Sequence, residues 1–366
     1  MKRLLAWLCV LFGVAALIVS TSRSIMHSIA AARDVSDYTP WWAIQHSDWG
    51  DLVGMSYLDD VPKFREAKRY NFGKADTCDK TVDLYQWGDS YLQDVPDSVY
   101  RHVSAYHFLF RNDSFTFKLD TTKRNILIIE SAERFVRSKF RDTGFINYLN
   151  IACAESRSQN PDIGLVKYPV RHIATASVLP DFNIDDLFNK KINQNLEYNL
   201  FNYNFLKRPR LLKADINYYS FNRASGDVAV SDNGQYLFFK PTITNPDVAS
   251  SYESVNTRQI DSIVNSLNKI YIHYKRAGFS EIYLGIIPNP ASILQPEGYN
   301  DLIPLVQGHP ALKMRVIDLY SVFKQHKKPA TLYRAGDTHW NDNGMKIWLE
   351  KVNKIMDEEA TKLTNM

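Results

Sequence analysis

The chain has 366 residues, a formal net charge of +4, 45% hydrophobic residues and 23% charged residues. This balance is that of an ordinary globular protein rather than a disordered one and gives no electrostatic case for nucleic acid as a partner. Three cysteines without zinc-type spacing, and no glycine-rich phosphate loop, set aside zinc modules and phosphate-loop nucleotide binding. The length allows one large domain with an insertion, or two smaller ones.

Met1-Lys2-Arg3 precedes an uncharged apolar run over residues 4–19. That is the layout of a signal anchor or a signal peptide. Extended through Ser20, Thr21 and Ser22, it reaches the roughly 17–25 residues that a spanning helix needs. We expect an uncleaved anchor over residues 1–22, with the cytoplasm on the Lys2/Arg3 side and the rest outside; a cleaved signal is the alternative. Cys9 lies too early and too deep in the run to be a lipid-modified cysteine. Export would place Cys78 and Cys153 in an oxidising compartment, either paired or as two buried thiols. Residues 23–75 read as a stalk and an aromatic-rich linker that carries Trp41, Trp42 and Trp49.

Val82-Asp83-Leu84-Tyr85-Gln86-Trp87 alternates apolar and polar side chains, as a strand does, and runs into Gly88-Asp89-Ser90. A helix, broken or started by Pro96, is expected after Ser90. Residues 125–130 form a continuous apolar run of strand length, the mark of a buried parallel strand. Residues 156–250 are less regular and read as an insertion or accessory region, with helix signals over 184–200 and a turn-then-strand at 232–239. Ile260, Ile263, Val264, Leu267, Ile270 and Tyr274 recur at helical spacing, and Gly278 is placed to end that helix. A strand over 282–287, a helical stretch over 299–307, a short strand over 316–319 and a last amphipathic helix through Met345, Trp348, Val352 and Met356 follow. Strands alternating with helices predict an α/β fold with a parallel sheet flanked by helices.

Ahead of the last helix stands Gly336-Asp337-Thr338-His339-Trp340-Asn341. An Asp two residues before a His can accept its Nδ1–H and leave Nε2 free as a general base. Such a pair needs a nucleophile, and Ser90 follows a strand, where functional groups of parallel sheets collect. The Ser90 N–H at a helix start would face a developing oxyanion, and Asn289 lies just past another strand, where it could converge on the same edge. Each piece also has a plain role. Ser90 can cap a helix, and Asp337 can be a turn residue ahead of a helix capped by Asn341 or Asn343. A metal site at Asp337 and His339 lacks a third ligand at useful spacing, and neither metal nor cofactor is expected.

These blocks resemble a known family. Asp337-Thr338-His339-Trp340-Asn341 with Gly344 is similar to the Asp-Thr-His-Trp signature of SGNH-like proteins that O-acetylate alginate and related exopolysaccharides. Gly88-Asp89-Ser90-Tyr91 resembles their nucleophile block, and residues 128–135 resemble their strand ending in Glu-Arg-Tyr. Residues 232–238, 287–293 and 316–319 also have counterparts. In the alginate proteins the Asp-Thr-His-Trp block precedes the Ser block; here Ser90 and Arg134 come first, as in a circular permutation.

The resemblance implies an SGNH-hydrolase-like catalytic domain over residues 76–366, with 156–250 inserted. It implies a polysaccharide O-acetyltransferase of the bacterial inner membrane, single-pass with its catalytic domain in the periplasm, or secreted if the signal is cleaved. Ser90 would carry the acetyl group, His339 would move the proton and Asp337 would orient His339. Asn289 is the candidate for the Asn that completes the oxyanion hole in SGNH hydrolases; Arg134 would hold the site or a substrate carboxylate, or else pair with Glu133 or Glu130; Trp340 is a further substrate-binding candidate. The acetyl donor would come through a membrane-bound acyltransferase partner. An acetyl esterase using the same triad, and a non-catalytic glycan-binding component of a secretion complex, are the alternatives.

Overall fold

The computed structural model describes residues 2–22, 25, 49–67, 70–76, 79–110, 115–141, 149–151, 192, 196, 200, 204–244 and 246–364. In chain order its helices are α1 (Lys2–Thr21), α2 (Asp51–Ser56), α3 (Glu133–Lys139), α4 (Lys207–Phe221), α5 (Thr257–Ala277), α6 (Pro290–Leu294), α7 (Leu302–Gln307), α8 (Tyr320–Gln325) and α9 (Asp342–Thr364). Its strands are β1 (Val82–Gly88), β2 (Val103–Phe110), β3 (Phe115–Phe117), β4 (Arg124–Ala132), β5 (Leu149–Ile151), β6 (Val228–Val230), β7 (Leu237–Phe239), β8 (Glu281–Ile287) and β9 (Arg315–Ile317).

The chain divides into two compact units. One comprises Met1–Asp48, Val53–Pro62 and Arg171–Gly226; the other comprises Trp49–Leu52, Lys63–Val170 and Asp227–Met366. The first contains α1, 20 residues whose apolar side chains are largely exposed. It is long and apolar enough for a membrane anchor or a signal sequence. Cys78, Cys153, Trp41, Trp42 and the helix signals over 184–200 fall outside the described residues, apart from the isolated positions 192, 196 and 200.

The second unit is built on a five-stranded sheet in the order β2-β1-β4-β8-β9, every neighbouring pair parallel. Chain runs from β1 outward to β2, then returns to β4 on the other side of β1. The point between β1 and β4 is therefore where the winding reverses, and open α/β sheets form a crevice beyond the strand ends there. β1, β4 and β8 are buried nearly throughout, which accounts for their apolar runs.

The alternation in β1 does not mark a solvated face: Asp83 and Gln86 are buried too. Asp83 accepts from Ser104 and pairs with Lys123 at 3.5 Å, while Gln86 Oε1 accepts from the Tyr100 and Tyr106 hydroxyls at 2.9 Å. Partners on β2, in the β1–β2 connection and just before β4 make burial of these polar groups tolerable.

Helix α5 begins with a reciprocal capping box between Asn256 and Gln259 and ends at Gly278 with φ 111°, so both ends follow from local sequence. Its apolar stripe from Ile260 to Tyr274 joins the core. β6 and β7 form an antiparallel hairpin, and Leu237 N–H donates to Ala335 O at 2.8 Å, tying that hairpin to the loop before α9.

Candidate active site

The Gly88-Asp89-Ser90 turn leaves β1 at the winding reversal. Gly88 is required by close approach: a Cβ there would lie 2.5 Å from Glu130 Oε2 of the neighbouring strand. That carboxyl accepts the Asp89 N–H at 2.7 Å. Asp89, buried, accepts from Tyr91 N at 3.1 Å and from Ala132 N at 3.2 Å, so it fastens the turn to the end of β4. Burial, and then the charge of Asp89, push the Glu130 carboxyl well above the usual carboxylate range.

The expected helix after Ser90 is not formed. Turns occupy residues 90–94 and a short 3₁₀ segment covers Asp97–Val99. Asp89 O and Leu92 O take the N–H groups of Leu92 and Val95, tight turns with Pro96 close behind. Ser90 thus has no helix dipole behind it. Its own N–H makes no hydrogen bond among the described residues, so it remains a donor for an oxyanion.

The Asp337–His339 turn is held between Tyr333 and Trp340, which face each other in an antiparallel bridge closed by Arg334 N–H to His339 O at 3.3 Å. Asn341 accepts from Asn343 N at 3.0 Å and Gly344 N at 3.4 Å, starting α9. Within the turn, Asp337 Oδ1 accepts the His339 backbone N–H at 3.0 Å and lies 2.6 Å from His339 Nδ1. That double contact assigns the Nδ1–H tautomer and turns Nε2 outward. Nε2 is 2.9 Å from Ser90 Oγ. Ser90 and His339 are partly exposed while Asp337 is completely buried. The three candidates thus form one hydrogen-bonded line with its open end at the hydroxyl.

The other candidates are placed differently. Trp340 is completely buried and packs on Tyr91, edge to face at 5.1 Å, and on Trp348. It therefore supports the site from the core side, and substrate contact is closed to it. Asn289 is also completely buried; its Nδ2 donates to Ser251 Oγ at 3.0 Å and its N–H to Glu133 Oε2 at 2.8 Å. The donor expected to meet an oxyanion is committed to this closed cluster, which also holds Ser292 Oγ at 2.6 Å from Glu133. Arg134 is 8% exposed, with its guanidinium 5.6 Å from the Tyr91 ring centre. Burial works against its charge, but Tyr91, Asp89 and Asp51 outweigh it and keep the guanidinium charged. Arg134 sits beside the site, with its guanidinium also 4.9 Å from the Phe135 ring centre and its charge acting on Glu130.

Two participants lay outside the candidates read from sequence. Tyr91 is buried beside the imidazole, 4.5 Å between ring centres, and its hydroxyl donates to Thr338 O. Burial drives its proton affinity far up, so it stays a donor. Its position next to Ser90 was the available signal. The second is Asp51, in a segment expected to be linker. Its Oδ1 accepts from Thr338 N at 2.9 Å, its Oδ2 from Thr338 Oγ1 at 2.6 Å, and its N–H reaches Asp337 Oδ2 at 3.3 Å. Nothing local in Trp49-Gly50-Asp51 announces this.

Asp51 also supplies the third acidic or imidazole group that the local spacing lacks: Asp51, Asp337 and His339 place ligating atoms within 4.8 Å of one another. The 2.6 Å separation of Nδ1 and Asp337 Oδ1 is that of a hydrogen bond, and both Asp51 oxygens accept from Thr338. The donor set fits a hydrogen-bonded relay rather than an ion. Comparisons with family models, with curated proteins and with solved structures return no match.

Proposed function

We propose that this chain is a serine acyl-transfer enzyme, acting outside the cytoplasm, that moves an acetyl group through Ser90 onto a hydroxyl of a polysaccharide. The observation that carries the reading is the unbroken line from Ser90 Oγ to His339 Nε2 at 2.9 Å and from His339 Nδ1 to Asp337 at 2.6 Å. Ser90 Oγ attacks the acyl carbonyl as its proton passes to Nε2, and the Ser90 N–H faces the oxyanion. Collapse of the tetrahedral adduct forms the Ser90 ester and sends the His339 proton to the leaving group. A sugar hydroxyl then gives its proton to Nε2, attacks the ester, and regenerates Ser90. Asp337 stays ionised throughout and stabilises the imidazolium.

The sugar acceptor, the membrane-bound donor partner and the SGNH-like ancestry come from the sequence resemblance. The apolar α1 behind Lys2 and Arg3 supports tethering with the catalytic unit on the far side of the membrane. Water as acceptor would make the same machinery an esterase.

The test is intact mass of the chain after incubation with p-nitrophenyl acetate, wild type beside Ser90→Ala, with and without oligosaccharide. A Ser90-dependent acetyl increment that moves to oligosaccharide is the expected result. Release to water alone would identify an esterase, and equal behaviour of the two proteins would remove the triad.

A further inference from the structure

The line of three groups leaves one carboxylate beside it without a role. Asp51 reaches the site from a segment 286 residues away from Asp337 in sequence. It holds Thr338, the residue between the carboxylate and the imidazole, by both backbone N–H and hydroxyl. Its own N–H binds Asp337 Oδ2, which leaves Asp337 Oδ1 for His339. The approach is built in: a Cβ on Gly50 would lie 1.9 Å from Gly336 O. Asp51 Oδ2 is 3.9 Å from His339 Nδ1, with 30% of the Asp51 side chain exposed.

We propose that Asp51 is a positioning residue of the acyl-transfer site, clamping the Asp337-Thr338-His339 turn and setting a second negative charge beside the imidazolium formed when His339 takes the Ser90 proton. This rests on the triad reading above. An Asn would bind Thr338 N–H and Oγ1 with nearly the same shape, so the clamp alone does not call for a charge. Placing a carboxylate next to buried Asp337 is unfavourable to folding: burial, and then Asp337, push the Asp51 carboxyl up, while His339 and the Thr338 bonds oppose them. Such opposed charges gather where a transient cation must be stabilised. Asp337 and Asp51 together flank the Nδ1 side of the imidazole and leave Nε2 to Ser90. Other ionisable groups around this pair include Arg134 on α3, Glu66, Tyr70 and Tyr91, and Arg334, whose charge acts on Glu66 and Tyr70 together with that of Asp337. Among the described residues only Asp51 and Asp337 place a carboxylate oxygen within 4 Å of His339.

The test uses the full chain and the pH profile of Ser90-dependent acetyl release, with thermal melting as the check on folding. Asp51→Asn should melt near wild type and lose roughly tenfold to a hundredfold in rate. Removing the charge weakens the hold on the imidazole proton, so the acid limb should move to lower pH by roughly half a unit or more. Asp51→Glu should return the limb toward wild type even where the rate stays low. Asp51→Asn with the wild-type limb overturns the proposal, whatever its rate, because only a clamp would then remain. If Asp51→Asn does not fold, an Asp51→Glu limb displaced to lower pH overturns it equally. Loss of the difference between wild type and Ser90→Ala would instead remove the triad reading, and is visible in the same assay.

Discussion

Two acidic clusters in the sheet-bearing unit are alike in composition and unlike in outlet. One gathers Glu133, Asn289, Ser292 and Ser251 beyond the ends of β4 and β8, all buried. The other gathers Asp337, Asp51, Thr338 and His339, and opens through partly exposed His339 onto Ser90. In the first, every named donor is spent on a neighbour, and burial pushes Glu133 up toward its neutral form. In the second, one imidazole nitrogen is fixed by carboxylate and the other meets a hydroxyl at the surface. Glu133 Oε1 and Asn289 Oδ1 of the first cluster find no hydrogen-bond partner among the described residues, yet both are buried; a relay needs an accessible end, and only the second cluster has one. By that criterion the Asn289 cluster reads as structural, and the Asp337 cluster is the one with the geometry the proposed chemistry needs.

The comparison can be broken most sharply at the open end. Ser90→Ala and His339→Ala should each lower acyl transfer by about 10³-fold or more while leaving the melting temperature close to wild type, and Asp337→Asn should come near them by releasing the wrong tautomer. Acetyl release and melting curves on the same preparations check this. A smaller effect is expected from Gly50→Ala. Its methyl would have to displace Gly336 O, now 1.9 Å from the Cβ position, and with it the Asp51 clamp. We expect a loss of about 1–3 kcal/mol of stability, as in overpacked interiors, together with a reduced rate.

The closed cluster should show the reverse split. Glu133→Ala strands the Asn289 N–H and the Ser292 hydroxyl, and should lower stability by about 1–3 kcal/mol in denaturant titration with kcat little changed. A matching fall in kcat would mean that the two clusters are not separate in function.

The smallest expected effect concerns Glu130. Its carboxyl is raised in the folded state, so the folded protein holds a proton that the unfolded chain releases. Stability therefore falls as pH rises from the ordinary Glu range toward the folded value, and the contribution is fully present only below that range. Glu130→Gln can still accept the Asp89 N–H. It should flatten this part of the stability–pH curve and be stabilised above the window by on the order of 1 kcal/mol. Denaturant midpoints across pH for wild type and variant measure the difference.

Much of the scaffold was legible along the chain. Apolar runs marked β4 and β8, helical spacing marked α5 and α9, and Gly278 marked the end of α5, whereas the Asn256 cap at its start came from the structure. The Asp337–His339 contact was also local, since a turn brings side chains two residues apart into hydrogen-bond range. The absent helix after Ser90 was not legible, because consecutive turns and Pro96 override a pattern that reads as helix-compatible.

The sequence by itself determined the pieces whose partners lie within a few residues: the strands of the parallel sheet, the capped helices, and the carboxylate–imidazole pair. Tertiary structure alone decided the rest. It brought Ser90 to His339 across 249 residues and Asp51 to Asp337 across 286, and it buried Trp340 and Asn289 completely. Local contacts leave a period or a cap in the chain because neighbouring backbone geometry creates them. Contacts between distant segments depend on how the sheet winds and which faces pack, and these leave no local mark at either end.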